Sequence, residues 1–286
     1  MGVLVTGAKG QLGFEVCRRL ESLGITNRGA GSKELDLRSR EGTLAYIRAY
    51  NPEAVINCGA YTAVDKAEAE MEQCYNVNVS GTRYLAEACK EVGAKLLHVS
   101  TEYVFDGSSE GAYETDTEKK PVNYYGETKS AGEDEVTRLL DQYFIVRVSW
   151  VFGINGHNFV KTMLRLGQEN ESVSVVTDQI GSPTYAADLA VLLCDMIQTD
   201  RYGMYHATNE GECSWHTFAS EIMKAAGLPC RVDPILTKDY ITAAKRPLNS
   251  RLSKKSLDAG SFAHLPYWED ALARFIAELR METVNG

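Results

Sequence analysis

The sequence predicts an α/β fold, a doubly wound parallel sheet with a smaller C-terminal domain. Three observations predict it. Short apolar, β-branched runs alternate with stretches of helical periodicity, the runs are apolar throughout, and the alternation breaks after about Val151. Strands that alternate with helices of ten or more residues build βαβ units and a parallel sheet. Near-continuous apolar runs mark strands buried on both faces.

The elements follow in order. Residues 2–6 (GVLVT) form the first strand and residues 12–23 the first helix, with a second strand near 25–28. A helix over 39–50 leads to the strand 54–58 (AVINC). A helix over 77–92, with Leu85, Ala86, Ala88 and Cys89 at helical spacing, leads to the strand 95–100 (KLLHVS). A helix beginning at Tyr125 precedes the strand 144–149 (FIVRVS). Beyond it, 173–176 reads as a strand and 186–197, 217–226 and 268–280 as helices. Five of the seven prolines fall at or after Pro183. The chain therefore divides into residues 1–150 and 151–286, with segments such as 173–200 free to return to the main sheet.

Composition narrows the function. The chain has 286 residues, with 30 Lys+Arg against 39 Asp+Glu for a net charge of −9. That balance argues against a nucleic-acid partner, which needs a basic face. Seven cysteines without a C-x-x-C pair fit reduced thiols in a cytoplasmic protein. No apolar run approaches the ~18 residues of a membrane helix, so no membrane partner is expected. None of the five histidines shows a metal spacing, and no metal site is expected from the residues. His98, on a buried strand, reads as a satisfied core residue.

Between the first strand and first helix lies G-x-x-G-x-x-G, with Gly7, Gly10 and Gly13 at its glycine positions. Glycines there permit the tight turn, let the backbone approach a pyrophosphate, and seat the helix against the strand. The helix N-terminus then offers unpaired N–H groups and a positive dipole end to phosphate. This placement on strand one and helix one predicts a Rossmann-type NAD(P)-binding domain over 1–150. Residues 151–286 are then mainly a substrate-binding domain. An NAD site carries Asp or Glu at the end of the second strand. Here that strand ends in Asn27-Arg28-Gly29, and no carboxylate appears until Glu34 and Asp36. Arg28 is positioned to pair with a 2′-phosphate, which favours NADPH and leaves NADH open.

Tyr125-Gly126-Glu127-Thr128-Lys129 has the spacing that stacks Tyr125 and Lys129 on one helix face. A lysine ammonium about 4 Å from a phenol contributes about 4 kcal/mol at an effective dielectric near 20. That is enough to lower a tyrosine by about 3 pH units, toward the range useful for acid catalysis. The strand 95–100 ends in Ser100-Thr101-Glu102, at the sheet edge where open α/β folds bind ligands. Thr101 there can donate a hydrogen bond to a substrate carbonyl. A hydride from a nicotinamide and a proton from Tyr125 would turn a ketone into an alcohol. Trp150 offers a flat indole suited to a sugar face, and Arg246 and Arg251 suit a diphosphate.

These stretches resemble the extended short-chain dehydrogenase/reductases, and within them the dTDP-4-dehydrorhamnose reductases. The likeness rests on 7–13 (GAKGQLG), 57–68 (NCGAYTAVDKAE), 100–107 (STEYVFDG), 124–132 (YYGETKSAG), 147–152 (RVSWVF), 178–184 (DQIGSPT) and 246–252 (RPLNSRL). It implies a catalytic trio of Thr101, Tyr125 and Lys129. It implies cofactor contacts from Gly10, Gln11 and Leu12 at the pyrophosphate, Asp36 and Leu37 at the adenine, and Ala60, Tyr61 and Thr62 beside the ribose and phosphates. Thr101, Glu102 and Trp150 would line a sugar pocket. The reaction implied is reduction of the 4-keto group of dTDP-4-dehydro-L-rhamnose, a dTDP-linked 4-keto-6-deoxy sugar, to dTDP-L-rhamnose.

The chain departs from the family pattern at two positions. Glu102 stands where that pattern has Asp, and Tyr61 where many relatives carry histidine. Some members are magnesium-dependent dimers, and Glu15 matches one acidic position of that interface, so Mg2+ and a homodimer stay open. Two other readings also stay open. The regulatory subunit of methionine adenosyltransferase looks similar to these reductases, so a non-catalytic subunit shares the fold. The substrate can also be another nucleotide-linked 4-keto sugar.

Overall fold

Six strands form one parallel sheet in the computed structural model, which describes residues 1–285. They are β1 (Gly2–Thr6), β2 (Thr26–Ala30), β3 (Ala54–Asn57), β4 (Lys95–Thr101), β5 (Tyr143–Val148) and a later strand, Gly203–His206. From one edge the order runs Gly203–His206, β5, β4, β3, β1, β2, and every pairing is parallel. The chain leaves β1 toward β2 on one side and later fills β3 on the other. That reversal opens a crevice beyond the carboxyl ends of β1 and β3.

Both faces of the sheet are covered, which is why its strands are apolar in succession. Val3 and Val5 point to one face, where they pack with Val16 and Leu20 of α1 (Gln11–Ser22) and with Leu189 and Leu193 of the helix Ala186–Ile197. Leu4 points to the other, with Ile47 of α2 (Arg40–Tyr50), Leu85 and Cys89 of α3 (Thr82–Val92), and Val136 of α4 (Tyr124–Leu139). Side-chain caps fix two of these helices. Ser39 Oγ accepts the Gly42 N–H at the start of α2, and Asn123 Oδ1 accepts the Gly126 N–H at the start of α4.

The part after Val151 builds a second core around Phe152, Phe218 and Phe275. The segment 173–200 divides. Its strand, Ser172–Val176, pairs with Arg231–Ile235 in a separate two-stranded sheet rather than with the main sheet. Its helix, Ala186–Ile197, returns and packs on α1. The strand that joins the main sheet is Gly203–His206, where apolar patterning is weak because only four residues pair, against β5 alone at the sheet edge. Among the described residues no helix is long and apolar enough to cross a membrane, and all seven cysteines are free thiols.

Candidate active site

A cleft of about 1050 Å³ runs along the carboxyl edge of the sheet, from the glycine loop to Trp150 and Arg246. Small-ligand pockets measure about 300–1,000 Å³, so this one lies at the upper end of that range.

At its nucleotide end the backbone is tightly packed. A Cβ on Gly13 would lie 2.3 Å from the Gly7 carbonyl oxygen, and Gly7 itself takes φ +63° against the Cys58–Gly59 peptide. No larger residue fits either place. Gly10 supplies no side-chain cap to α1, so the first-turn N–H groups of Gln11, Leu12 and Gly13 carry no cap at the cleft. The residues Ala60, Tyr61 and Thr62 line the same wall. Asn78 pins them, accepting the Tyr61 N–H at 2.8 Å and donating to the Tyr61 carbonyl at 3.1 Å and to Thr128 Oγ1 at 3.1 Å.

The basic group expected at the end of β2 is misplaced by the sequence reading. Arg28 does not line the cleft; its guanidinium lies 4.3 Å from the centroid of the Tyr50 ring. Strand alternation is the reason. Arg28 pairs in register with Leu4 and shares its face, and β2 runs two residues further to Ala30. The basic residues that do reach the cleft there are Lys9 and Arg38, beside Ser32, Asp36 and Leu37. Lys9 pairs with Glu34, and Arg38 holds both oxygens of Asp36 at 2.9 Å, which keeps the Asp36 carboxyl below its usual range.

At the middle of the cleft the ends of β4 and α4 meet. A Cβ on Gly126 would lie 2.2 Å from the Tyr103 carbonyl oxygen, so α4 docks directly on the turn after β4. This contact brings Tyr125 beside Thr101, Glu102 and Tyr103; the Tyr103 and Tyr125 rings meet edge to face at 5.5 Å. Thr101 Oγ1 donates to Glu102 Oε2 at 2.7 Å, and both residues are buried. Burial raises the Glu102 carboxyl to about 7, against the opposing Thr101 bond.

Tyr125 and Lys129 do share one face of α4, yet the expected lowering of the phenol is not what the surroundings produce. Burial, then the Glu102 charge, push Tyr125 above its ordinary value, with the Thr101 hydroxyl acting against them. Lys129 Nζ is directed elsewhere, donating to the Val99 carbonyl at 2.7 Å and lying 3.3 Å from His98 Nε2. Burial lowers its ammonium to about 8. Desolvation, and not the charge one turn away, sets the direction of the phenol.

At the far end Trp150 takes φ +47°, an uncommon value for a large side chain. Its indole stacks on Trp215 at 3.8 Å between ring centres, and Gly181 packs against its six-membered ring, where a Cβ would come within 2.8 Å. Arg246 lines the cleft and is gripped by Asp65, at 2.9 Å to Oδ1 and 2.8 Å to Oδ2. No sequence pattern singles out Trp215, and Asp65 enters only as part of the stretch 57–68 that carries the family likeness. Arg251 is the second misplaced residue. It is used outside the cleft, to bond Asn249 Oδ1 and the Glu110 carbonyl. Magnesium finds no support, since among the described residues no group of three or more His, Cys, Asp or Glu is placed to hold a metal ion. Glu15, the acidic residue raised for it, is buried and paired with Arg18 at 2.8 Å.

Comparisons with known proteins identify the family. The chain is 40% identical to dTDP-4-dehydrorhamnose reductase of Aggregatibacter actinomycetemcomitans, over 94% of its own length and 96% of the relative's. It is 37% identical to dTDP-4-dehydrorhamnose reductase of Escherichia coli, covering 98% of each. A crystal structure of dTDP-4-dehydrorhamnose reductase from Bacillus anthracis in complex with NADP superposes with a TM-score of 0.95 at 42% identity, covering 97% of this chain and 99% of that one. The family model for the RmlD substrate binding domain matches residues 1–281, and the chain belongs to that family.

Proposed function

We propose that the chain is an NADPH-dependent reductase that converts the 4-keto group of dTDP-4-dehydro-L-rhamnose to the alcohol of dTDP-L-rhamnose. One observation carries the reading. The Tyr125 phenol and the Thr101 hydroxyl converge in a cleft that is continuous with a glycine loop able to take a pyrophosphate.

The glycine loop and α1 N-terminus fit a dinucleotide, because the N-cap is a glycine and no side chain caps the first-turn N–H groups. When bound, the reduced nicotinamide supplies a hydride to the ketone carbon. Tyr125 supplies the proton to the ketone oxygen, and its raised pKa keeps it protonated at neutral pH, as a donor must be. Thr101 holds that oxygen by a hydrogen bond. Lys129, one turn along α4 and held by the Val99 carbonyl, would act on the phenolate left behind as a fixed positive charge on the same helix face. Trp150, stacked on Trp215, forms a flat wall for the sugar, and Arg246, oriented by Asp65, places a cation in the cleft wall for a phosphate.

Lys9 of the glycine loop and Ser32 and Arg38 beyond β2 support NADPH over NADH, since two cations and a hydroxyl suit a 2′-phosphate. The NADP complex of the Bacillus anthracis relative agrees. The presence of Thr101, Tyr125 and Lys129 together favours chemistry over a non-catalytic subunit. A panel of dTDP-, UDP- and GDP-linked 4-keto sugars, assayed with both reduced nicotinamides, tests the assignment. Fastest turnover of the dTDP-linked 4-keto-6-deoxy sugar with NADPH is expected. Cofactor binding without turnover of any sugar would leave only the scaffold reading.

A further inference from the structure

A threonine hydroxyl has one hydrogen to give and two lone pairs to receive. Here the Thr101 hydrogen goes to Glu102 Oε2 at 2.7 Å, while Oγ1 accepts the Tyr103 N–H at 3.2 Å. A hydroxyl committed in this way has no hydrogen left for a ketone oxygen, yet that is the part the reduction asks of it. Glu102 is 3% exposed. Among the described residues no cation forms an ion pair with it. The surrounding charges are all otherwise engaged. Arg246, which acts on the neighbouring Tyr103, is held by Asp65. On α4, Lys129 turns to Val99 and His98, and Glu133 is bound by Arg147. Next to Thr101 on β4, Ser100 donates to Glu133. The remaining titratable neighbours are the phenols of Tyr103 and Tyr125, both of which feel the Glu102 charge.

We propose that Glu102 is a positioning residue that sets the direction of the Thr101 hydrogen bond, taking its hydrogen when ionised and releasing it to the ketone oxygen when protonated. The neutral carboxyl donates to Thr101 Oγ1, Thr101 donates to the substrate, and no covalent bond changes among the three. In that state Thr101 Oγ1 receives from the Glu102 carboxyl and the Tyr103 N–H, and its hydrogen points to the oxygen that the neighbouring Tyr125 also addresses. The inference rests on the reductase reading and adds to it the protonation state in which the site works. It also gives the extra methylene of Glu102 a purpose, since the longer side chain folds back onto Thr101. With the carboxyl raised to about 7, both forms are populated near neutrality.

The test is kcat/KM for ketone reduction against pH, measured on the full chain with NADPH, because that ratio reports groups of the free enzyme. The wild type should lose about tenfold between about pH 6 and 8 in a step centred near neutrality, as one titrating group dictates. In Glu102→Gln the step should vanish, leaving only a later fall as Lys129, with its ammonium at about 8, loses its charge. Thr101→Val provides an independent check, with NADPH binding reporting that the variant is folded. Glu102 still titrates there, yet the slow residual reaction should no longer follow it. A step at the wild-type midpoint in either variant overturns the proposal, as does a wild-type profile that stays flat across the range. A wild type that leaves every keto sugar unreduced overturns the reductase reading itself, and this proposal with it.

Discussion

Lys129 Nζ stands 3.3 Å from His98 Nε2, and His98 Nδ1 lies 2.9 Å from Asn57 Nδ2. Asn57 in turn takes the Thr6 hydroxyl at 2.6 Å. A buried polar chain therefore ties β1, β3 and β4 to the helix that carries Tyr125. Burial, then the Lys129 charge, hold His98 well below its ordinary pKa, so it works as a neutral link. A neutral imidazole accepts at one ring nitrogen only, so His98→Leu should leave one buried donor, on Asn57 or on Lys129, short of a partner. Such a loss costs about 1–3 kcal/mol. A lower urea midpoint with unchanged slope is the expected result. A midpoint equal to the wild type would show that the chain contributes nothing to stability.

Tyr125→Phe removes the proton donor and keeps the ring that packs on Tyr103. Turnover should fall by about 10²–10⁴-fold, the usual scale of acid–base catalysis, while NADPH still binds. Steady-state kinetics and cofactor fluorescence titration report the two quantities separately. Near-normal turnover would remove Tyr125 from the reaction.

Cofactor choice separates the residue that the sequence suggested from those that the fold supplies. Arg28→Ala should leave the ratio of NADPH to NADH affinity unchanged, because Arg28 rests on Tyr50. Lys9→Ala with Arg38→Ala should lower that ratio by about 10- to 100-fold, matching about 1.5–3 kcal/mol for a charged hydrogen bond. Calorimetric titration with both cofactors measures it.

Acid stability follows from the ion pair of Glu133 and Arg147, which are 0% and 1% exposed. Burial alone would raise the Glu133 carboxyl, but Arg147, Lys119 and Ser100 outweigh it and hold it below the ordinary value. A depressed folded pKa means that the unfolded chain binds the proton more readily. This contribution is therefore complete above the ordinary carboxylate pKa of about 4.3 and is lost as pH falls through the lower folded value. Glu133→Ala should cost about 3–5 kcal/mol at neutral pH. Its difference from the wild type should shrink in acid, as unfolding curves at several pH values will show.

The parts of this molecule that were legible in its sequence are those where one residue type admits one geometry. The glycine loop, the Tyr125–Lys129 spacing and the apolar strand runs are of that kind, and each sits where the pattern placed it. Arg28 failed because strand parity, not distance along the chain, decides which face a side chain takes. Arg251 failed because an exposed-looking arginine can serve a loop as well as a phosphate. Trp215 and Arg38 reach the cleft only through tertiary packing, and Gly203–His206 joins the sheet as a four-residue edge strand, so no local pattern announced them. The lowering of Tyr125 was argued from a single charge, whereas burial sets its sign.

The central claim is tested most directly by a single turnover with NADPH deuterated at the transferable position and dTDP-4-dehydro-L-rhamnose. Deuterium should appear at carbon 4 of the sugar, one per cofactor oxidised, and Tyr125→Phe should slow its arrival. Cofactor that binds in the cleft while its label stays in place and the sugar remains a ketone would contradict the account.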